Sequence, residues 1–218
     1  MGRTHALSGA VAYLALVPLL HASAVQAAVG AVCTAGAALL PDLDHPQATA
    51  THTLGPVTRV LGWVVRRLAG GHRRGSHSVL GIAAFAGVAA LAARADIADG
   101  IALWVLAALA ARAVRRRAPV AERLAVAVVT AGGAWWLVAG HGLDPWFLPV
   151  AVAIGAAAHV VGDLMTEQGA RVLWPLSARS FRIASIDTGH AVERWLVAPA
   201  LWAALAVLVY RTATPVFI

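Results

Sequence analysis

Charged side chains are scarce in this chain, and lysine is absent altogether. Only 12% of its 218 residues are charged and 60% are hydrophobic, whereas soluble domains carry about 25% charged residues. The single cysteine, Cys33, excludes an internal disulfide and is interpreted as a small buried hydrophobe. The composition predicts one integral membrane domain over residues 1–218, with about seven helices of ~20 residues each.

The basic residues are all arginines, and they give a net charge of +7. A pI near 11.3 would suit a nucleic-acid-binding protein. However, the chain has no basic tail and no patch in which aromatic and basic residues alternate. We therefore expect no nucleic-acid partner and interpret the arginines as a membrane-topology signal.

Apolar runs predict the positions of the membrane helices, and an amphipathic run predicts one more helix. In residues 54–69 the apolar positions follow a helical period, interrupted by Arg59, Arg66 and Arg67. This pattern predicts a helix lying in the membrane interface, with a short buried helix as the alternative. The predicted fold is an all-α, polytopic membrane bundle with that interfacial helix and apolar helices at 6–20, 25–40, 78–93, 100–114, 122–139, 146–165 and 194–211.

The arginines also predict how the bundle is oriented. If the helices alternate and the amino terminus lies inside, only Arg94 and Arg211 fall on the outer side. The positive-inside rule then predicts a multi-pass protein of a bacterial-type inner membrane with its amino terminus in the cytoplasm. The links at 21–24, 94–99 and 140–144 and the carboxyl terminus would face outward. An alternative for the start is a signal peptide, because residues 22–24 read Ala-Ser-Ala after an apolar run.

Histidine and aspartate residues lie at the ends of these apolar segments. His159 and Asp163 are four residues apart on a helix, so they share a face and form a pair suited to a divalent metal. A hydrogen bond between helices or a proton relay is the alternative. Glu167 continues the stripe, as a further member of the pocket or as a solvated side chain.

Two carboxylates and a histidine follow the second apolar helix. In an extended segment Asp42 and Asp44 would point the same way, and their repulsion would favour a cation between them. His45 adds a nitrogen ligand. A polar turn in which one Asp caps a helix is the alternative.

His72 and His77 bracket an Arg-Arg-Gly-Ser sequence in a glycine-rich loop. The imidazoles would bind metal, and Arg73 or Arg74 would clamp an anionic group such as phosphate or contact lipid headgroups. Ser76 prompts a serine-hydrolase hypothesis, but the chain has no GxSxG motif, so we set that mechanism aside.

The orientation based on arginines places these segments on one side, together with Thr4 and His5. His21 and His141 fall on the opposite side, and His52 and His190 have no comparable neighbours. Motifs more than a hundred residues apart are therefore expected to form one site. The predicted ligands are His5, Asp42, Asp44, His45, His72, His77, His159 and Asp163.

The same blocks, in the same order, resemble the LexA-regulated (YdjM-like) family of inner-membrane metal-dependent hydrolases. They are Thr4-His5, Pro41-Asp42-Leu43-Asp44-His45, His72-Arg73-Arg74-Gly75-Ser76-His77-Ser78, His159-x-x-Gly162-Asp163-x-x-Thr166 and Gly169 with Leu173-Trp174-Pro175. Family members usually have Thr where this chain has Ser76. The resemblance implies metal-dependent hydrolysis without identifying a substrate, and it supports His5 as a ligand. A weaker similarity to zinc-dependent phospholipases C suggests phosphoester chemistry.

These observations lead to one preferred function and one alternative. The preferred function is hydrolysis of a phosphoester in a lipid or other amphiphilic substrate, by a water activated on one or two Zn²⁺ ions, with Mn²⁺ or Fe²⁺ also possible. Eight candidate ligands favour two ions. Asp44 or Asp42 would act as the general base, and Arg73 and Arg74 would neutralise charge. The alternative is a metal or proton transporter or a non-enzymatic metal-binding protein. Membrane lipids are the expected partners, and the oligomeric state stays open.

Overall fold

The fold is an all-helical bundle, as the apolar runs predict. The computed structural model describes residues 2–115, 118–140, 146–187 and 190–214. In these ranges its only β-type pairings are two isolated bridges, Thr166 with Ile186 and Ala170 with Phe181. The eight α-helices are α1 (Gly2–Leu20), α2 (Ala24–Ala37), α3 (Pro56–Ala69), α4 (Val79–Ala92), α5 (Asp96–Val114), α6 (Val120–Gly140), α7 (Phe147–Leu164) and α8 (Ala198–Ala213).

The membrane character of the bundle is confirmed by its helix lengths. Six helical segments of the described chain are long and apolar enough to cross a bilayer, and α4 is a shorter apolar helix. A π-helical turn, Glu193–Val197, leads directly into α8. Seven apolar helices and one amphipathic helix are therefore present, in the predicted order.

The amphipathic helix α3 presents its large apolar side chains outward. Thr58, Gly62 and Ala69 form its buried stripe, whereas Trp63 and Leu68 are 61% and 76% exposed. The arginines of α3 lie on the exposed surface as well. Exposed Trp and Leu beside arginines favour the interfacial helix over the buried alternative.

The apolar helices alternate in direction, so particular helix ends lie together at one end of the bundle. The Arg3 guanidinium donates to the Val114 carbonyl oxygen at 2.7 Å, which brings the start of α1 to the end of α5. The Thr4 hydroxyl donates to Glu193, which brings the start of the α8 segment to the same place. The end of α2, the start of α4 and the end of α7 meet there too, because His77 lies beside both Asp42 and Asp163.

Several predicted boundaries change: α1 begins at Gly2 rather than at residue 6, and α2 ends at Ala37 rather than at residue 40. The helix expected at 100–114 begins at Asp96, because Asp96 and Asp99 occupy its first turn, where carboxylates favour a helix amino terminus. The link expected at 94–99 is correspondingly shorter. Ser23 caps α2 in a capping box with Gln26, so the Ala-Ser-Ala sequence forms a helix start in the folded chain. The 140–144 link (beyond Gly140), His141, Arg116, Arg117 and the last four residues lie outside the described residues.

Close packing between α2 and α7 forms the centre of the bundle. A Cβ atom at Gly155 of α7 would lie 2.5 Å from the Thr34 carbonyl oxygen of α2. Only glycine permits that approach, and small residues at helix interfaces are a common means of association in lipid. The contact fixes α7 beside the end of α2, where the predicted ligands lie.

Candidate metal centre

Four ligand-type atoms converge at one end of the bundle. They belong to two imidazoles and two carboxylates from three separate segments. The Nε2 atoms of His77 and His159 are 3.1 Å apart, and they lie 3.3 and 3.5 Å from Asp163 Oδ2. Asp42 Oδ1 lies 3.9 and 3.8 Å from the same two nitrogens. With metal–ligand bonds of about 2.0–2.2 Å, a tetrahedral site has edges of about 3.3–3.6 Å, so the separations among His77, His159 and Asp163 suit three ligands of one divalent cation, and Asp42 lies slightly farther away.

Helix α7 supplies two of the four groups. His159 and Asp163 are one turn apart and are fully or almost fully buried, as their spacing predicts. The Nδ1 atom of His159 lies 2.7 Å from the Ala38 carbonyl oxygen just after α2. A carbonyl only accepts hydrogen bonds, so Nδ1 carries the hydrogen and the Nε2 lone pair of the neutral ring points at the cluster.

The turn before α4 supplies His77. Gly75–His77 form a 3₁₀ turn, and the Ser78 hydroxyl caps α4 by accepting from the Gly81 amide at 3.1 Å. The Ser76 hydroxyl lies 3.0 Å from His77 Nδ1 and donates to Asp44 Oδ2 at 2.5 Å. Since that hydroxyl hydrogen goes to the carboxylate, His77 Nδ1 donates to the hydroxyl oxygen. Burial lowers the pKa of His77, which keeps its ring neutral.

The segment after α2 is not extended, and the expectation that Asp42 and Asp44 point the same way is wrong. Pro41–Asp44 form a 3₁₀ helix, in which three residues complete a turn and residues two apart diverge. Asp42 therefore faces the Nε2 edge of His77, and Asp44 faces its Nδ1 edge at 3.5 Å. Asp44 is fully buried, whereas the Asp42 side chain is 27% exposed.

The buried groups are electrostatically incomplete without a cation. Both imidazole Nδ1 hydrogens are used elsewhere, so in the neutral rings two Nε2 lone pairs face each other at 3.1 Å. Asp163 Oδ2 is buried beside them and has no hydrogen-bond partner among the described residues. One extra proton would join one pair of these atoms, whereas a divalent metal would satisfy all of them at once. The donor set thus fits a metal ion.

Arg73 links the loop to the ligands. The Arg73 backbone adopts a left-handed conformation (φ 56°), and its N–H donates to Asp44 Oδ2 at 3.1 Å. Its guanidinium donates to Asp163 Oδ1 at 3.2 Å and to the Gly169 carbonyl oxygen at 3.3 Å. Arg74 is exposed beside it. Arg73 therefore orients Asp163 so that Oδ2 faces the histidines.

The remaining predicted ligands surround the cluster. The His5 ring stacks on His159 with centroids 4.0 Å apart, and its Nε2 lies 3.7 Å from Asp163 Oδ1. His72 Nδ1 lies 2.6 Å from Asp44 Oδ1. The contact is a charge-assisted hydrogen bond, and it is shorter than the separation between two ligand atoms of one metal ion. The His45 ring packs edge-on against His72, and its Nδ1 accepts from the Gln47 amide at 3.2 Å.

Sequence reasoning did not anticipate several contacts that hold the site in place. The carbonyl groups of Ala38 and Gly169 carry no side-chain signal. The segment after α7 folds back on the loop, where the Val79 amide donates to the Val172 carbonyl at 3.0 Å. Trp174 packs over Gly75, whose added Cβ would lie 2.9 Å from the indole. In the sequence, the Leu173-Trp174-Pro175 segment was the signal that could have indicated this contact. Glu167 is exposed, as the solvated interpretation expects.

Comparison with known proteins identifies the family. The family model described as YdjM inner membrane protein matches residues 1–217. The chain belongs to the YdjM inner membrane protein family. No curated protein and no solved structure matches it. Family membership confirms the resemblance and supports an inner-membrane protein with several membrane helices. It leaves the reaction to be inferred from the site.

Proposed function

We propose that this YdjM-family protein is a membrane-bound, metal-dependent hydrolase that holds one divalent cation. The observation that carries the proposal is the convergence of His77, His159 and Asp163 at separations of 3.1–3.5 Å, with Asp42 3.8–3.9 Å from the two histidine nitrogens. Two nitrogens and two carboxylate oxygens favour Zn²⁺, and Mn²⁺ or Fe²⁺ accept the same set.

The differing exposure of the ligands supports a catalytic rather than a purely structural site. His77, His159 and Asp163 are buried, and Asp42 lies on the accessible side. Catalytic zinc sites commonly have three protein ligands and one position open to water or substrate. A bound cation would supply Lewis-acid polarisation and a lower pKa for water.

Neighbouring side chains would supply the remaining catalytic and orienting functions. Asp42, the most exposed and most distant of the four groups, would stand beside the open fourth position rather than fill it, where its carboxylate accepts a proton from the attacking water as the general base. Asp44 is buried and bonded to Ser76, His72 and the Arg73 amide, so we assign it to the orientation of His77. The Arg73 guanidinium, one-fifth exposed, lies where it would neutralise a developing negative charge, with Arg74 nearby.

The membrane setting supports an amphiphilic substrate, and we propose a phosphoester of a lipid or lipid-linked compound. The cluster lies at the end of the bundle that carries most of the arginines. By the positive-inside rule this end faces the cytoplasm of an inner membrane. Arginine at a site edge also suits a phosphoryl group.

The test is hydrolysis of phospholipid and lipid-linked phosphoesters by the purified protein in detergent or proteoliposomes. We expect activity with added Zn²⁺ or Mn²⁺, loss in chelator and loss in Asp163→Ala. His21→Ala serves as the control, because His21 lies in the turn at the opposite end of α1. Full activity in chelator would refute the metal mechanism.

A metal or proton transporter is the second candidate, favoured by the buried contact between His77 and His159. Transport sites usually lie near the bilayer midplane on broken helices, whereas these groups lie at helix ends. Metal flux into proteoliposomes that disappears in His159→Ala, without hydrolysis, would favour transport over the hydrolase.

A further inference from the structure

A cleft of about 600 Å³ runs between α1, α7 and α8. On α1 its wall is the stripe Thr4, Ser8, Ala12 and Leu16, which repeats every four residues and so lies on one helix face. Its volume lies within the ordinary range for small-molecule sites. The hydroxyls of Thr4 and Ser8 occur only at the beginning of the stripe, so the cleft changes from polar to apolar along α1.

The polar end of the cleft adjoins the candidate metal centre. His5 lines the cleft and stacks on His159 at 4.0 Å. Glu193 lines the same end and accepts a hydrogen bond from Thr4. The polar end of the cleft therefore lies one ring away from the ligand cluster, with His5 between the cleft and His159.

The far end of the cleft is wholly apolar and lies at membrane depth. Leu16, Ile154 and Leu201 line it, one from each of the three helices. From His5 to Leu16 the helix rises about 16 Å, which is close to half of a ~30 Å hydrocarbon core. The channel thus has the length of one leaflet.

The side of the cleft borders the lipid phase. The described residues of α8 include none that is buried, and α8 packs mainly against α1. Val161 on α7 and Met165 just after it line the cleft and are 53% and 41% exposed. A hydrocarbon chain would enter sideways from the bilayer without crossing water.

We propose that this cleft binds one hydrocarbon chain of the lipid substrate, with the polar head at His5 and the metal centre. The apolar length of one leaflet, the lateral opening and the polar end at the ligand cluster together select a lipid chain as the occupant. The assignment of that lipid as substrate rests on the proposed function. The binding of the chain does not depend on catalysis.

The test is photo-crosslinking in proteoliposomes with a phospholipid that carries a diazirine midway along one acyl chain. We expect labelled peptides to map to Ala12, Leu16 and Ile154. Ala157→Trp, which fills the cleft, should lower that labelling at least tenfold. Ala203→Trp, on the exposed face of α8 and outside the cleft, should leave it unchanged. Ala157→Leu provides a smaller obstruction if the tryptophan variant does not fold.

The outcomes separate this proposal from the hydrolase itself. Labelling concentrated in the cleft and preserved in Asp163→Ala supports chain binding even if no hydrolysis is found. Labelling spread evenly over the exposed faces of α4, α6 and α8, and unaffected by Ala157→Trp, overturns chain binding even if hydrolysis is found. With an active enzyme, Ala157→Trp should raise KM at least tenfold for a long-chain substrate and leave a short-chain analogue unchanged.

Discussion

The Nε2 atoms of His77 and His159 lie 3.1 Å apart, although 82 residues separate them in the chain. Each ring is held from its other nitrogen, His159 by the Ala38 carbonyl and His77 by the Ser76 hydroxyl. Rings fixed in this way direct both Nε2 atoms to one point, and in their neutral forms two lone pairs would face a metal ion there, the arrangement that proteins use for metal ligands.

The first prediction concerns metal content. The purified protein should bind one divalent ion per chain, and His77→Ala or His159→Ala should weaken binding more than about 100-fold, since changes outside the ligands alone cost about 10–100-fold. Elemental analysis after gel filtration and chelator competition measure the content and the affinity. His21→Ala should bind normally. Unchanged metal content in both ligand variants would rule out the cluster as the binding site.

The second prediction separates Asp44 from His72. Asp44→Asn should lower metal affinity about 10–100-fold, because the buried carboxylate holds Ser76 and thereby His77. His72→Ala should change it less than about threefold, because the His72 side chain is 36% exposed and its hydrogen bond is to Asp44 rather than to Ser76 or His77. Metal titration of both variants measures these two affinities. A wild-type content of two ions that falls to one in His72→Ala would instead support the two-metal expectation.

The third prediction concerns the contact between α2 and α7. Gly155→Ala places a Cβ 2.5 Å from the Thr34 carbonyl oxygen, so the helices must separate and His159 must leave Ala38. We expect a loss of about 1–3 kcal/mol in the free energy of unfolding and weaker metal binding, measured by thermal unfolding in detergent.

Gly132→Ala on α6 is the matched control for that substitution. No atom lies within 4 Å of the position of its Cβ. It should be neutral or stabilising by up to about 1 kcal/mol, because alanine favours a helix over glycine. Equal losses in the two variants would indicate a general helix effect rather than packing at the α2–α7 contact.

The sequence predicts the helices well because the bilayer imposes simple rules. Apolar runs of sufficient length must form helices, and the arginine asymmetry gathers His77, His159 and Asp163 at one end before any contact is known. The i, i+4 spacing on α7 also predicts the direction of its two ligands. These inferences depend on patterns that persist over whole helices.

Local geometry was less predictable from the sequence. Asp42 and Asp44 face different nitrogens of His77 because Pro41–Asp44 form a 3₁₀ turn, and a four-residue segment has no period long enough to show that. Ala38 and Gly169 act through backbone carbonyls, which any residue provides. The proposed division of the eight candidates into ligands and orienting groups rests on distances of a few ångströms, which sequence spacing does not encode.

The last prediction tests Asp42 as the general base. Asp42→Asn keeps the size of the side chain and one of its oxygen atoms, but it removes the ability to accept a proton. Because His77, His159 and Asp163 remain, metal content should stay near one ion per chain. The kcat for the phosphoester that the wild type hydrolyses should fall about 10²–10⁴-fold, the usual contribution of a positioned base. Stopped assays at saturating metal measure the rate, and elemental analysis of the same sample measures occupancy.

Asp163→Ala provides the contrast, because it should lose metal and activity together. A variant Asp42→Asn that keeps both would transfer the proton-accepting role to another group.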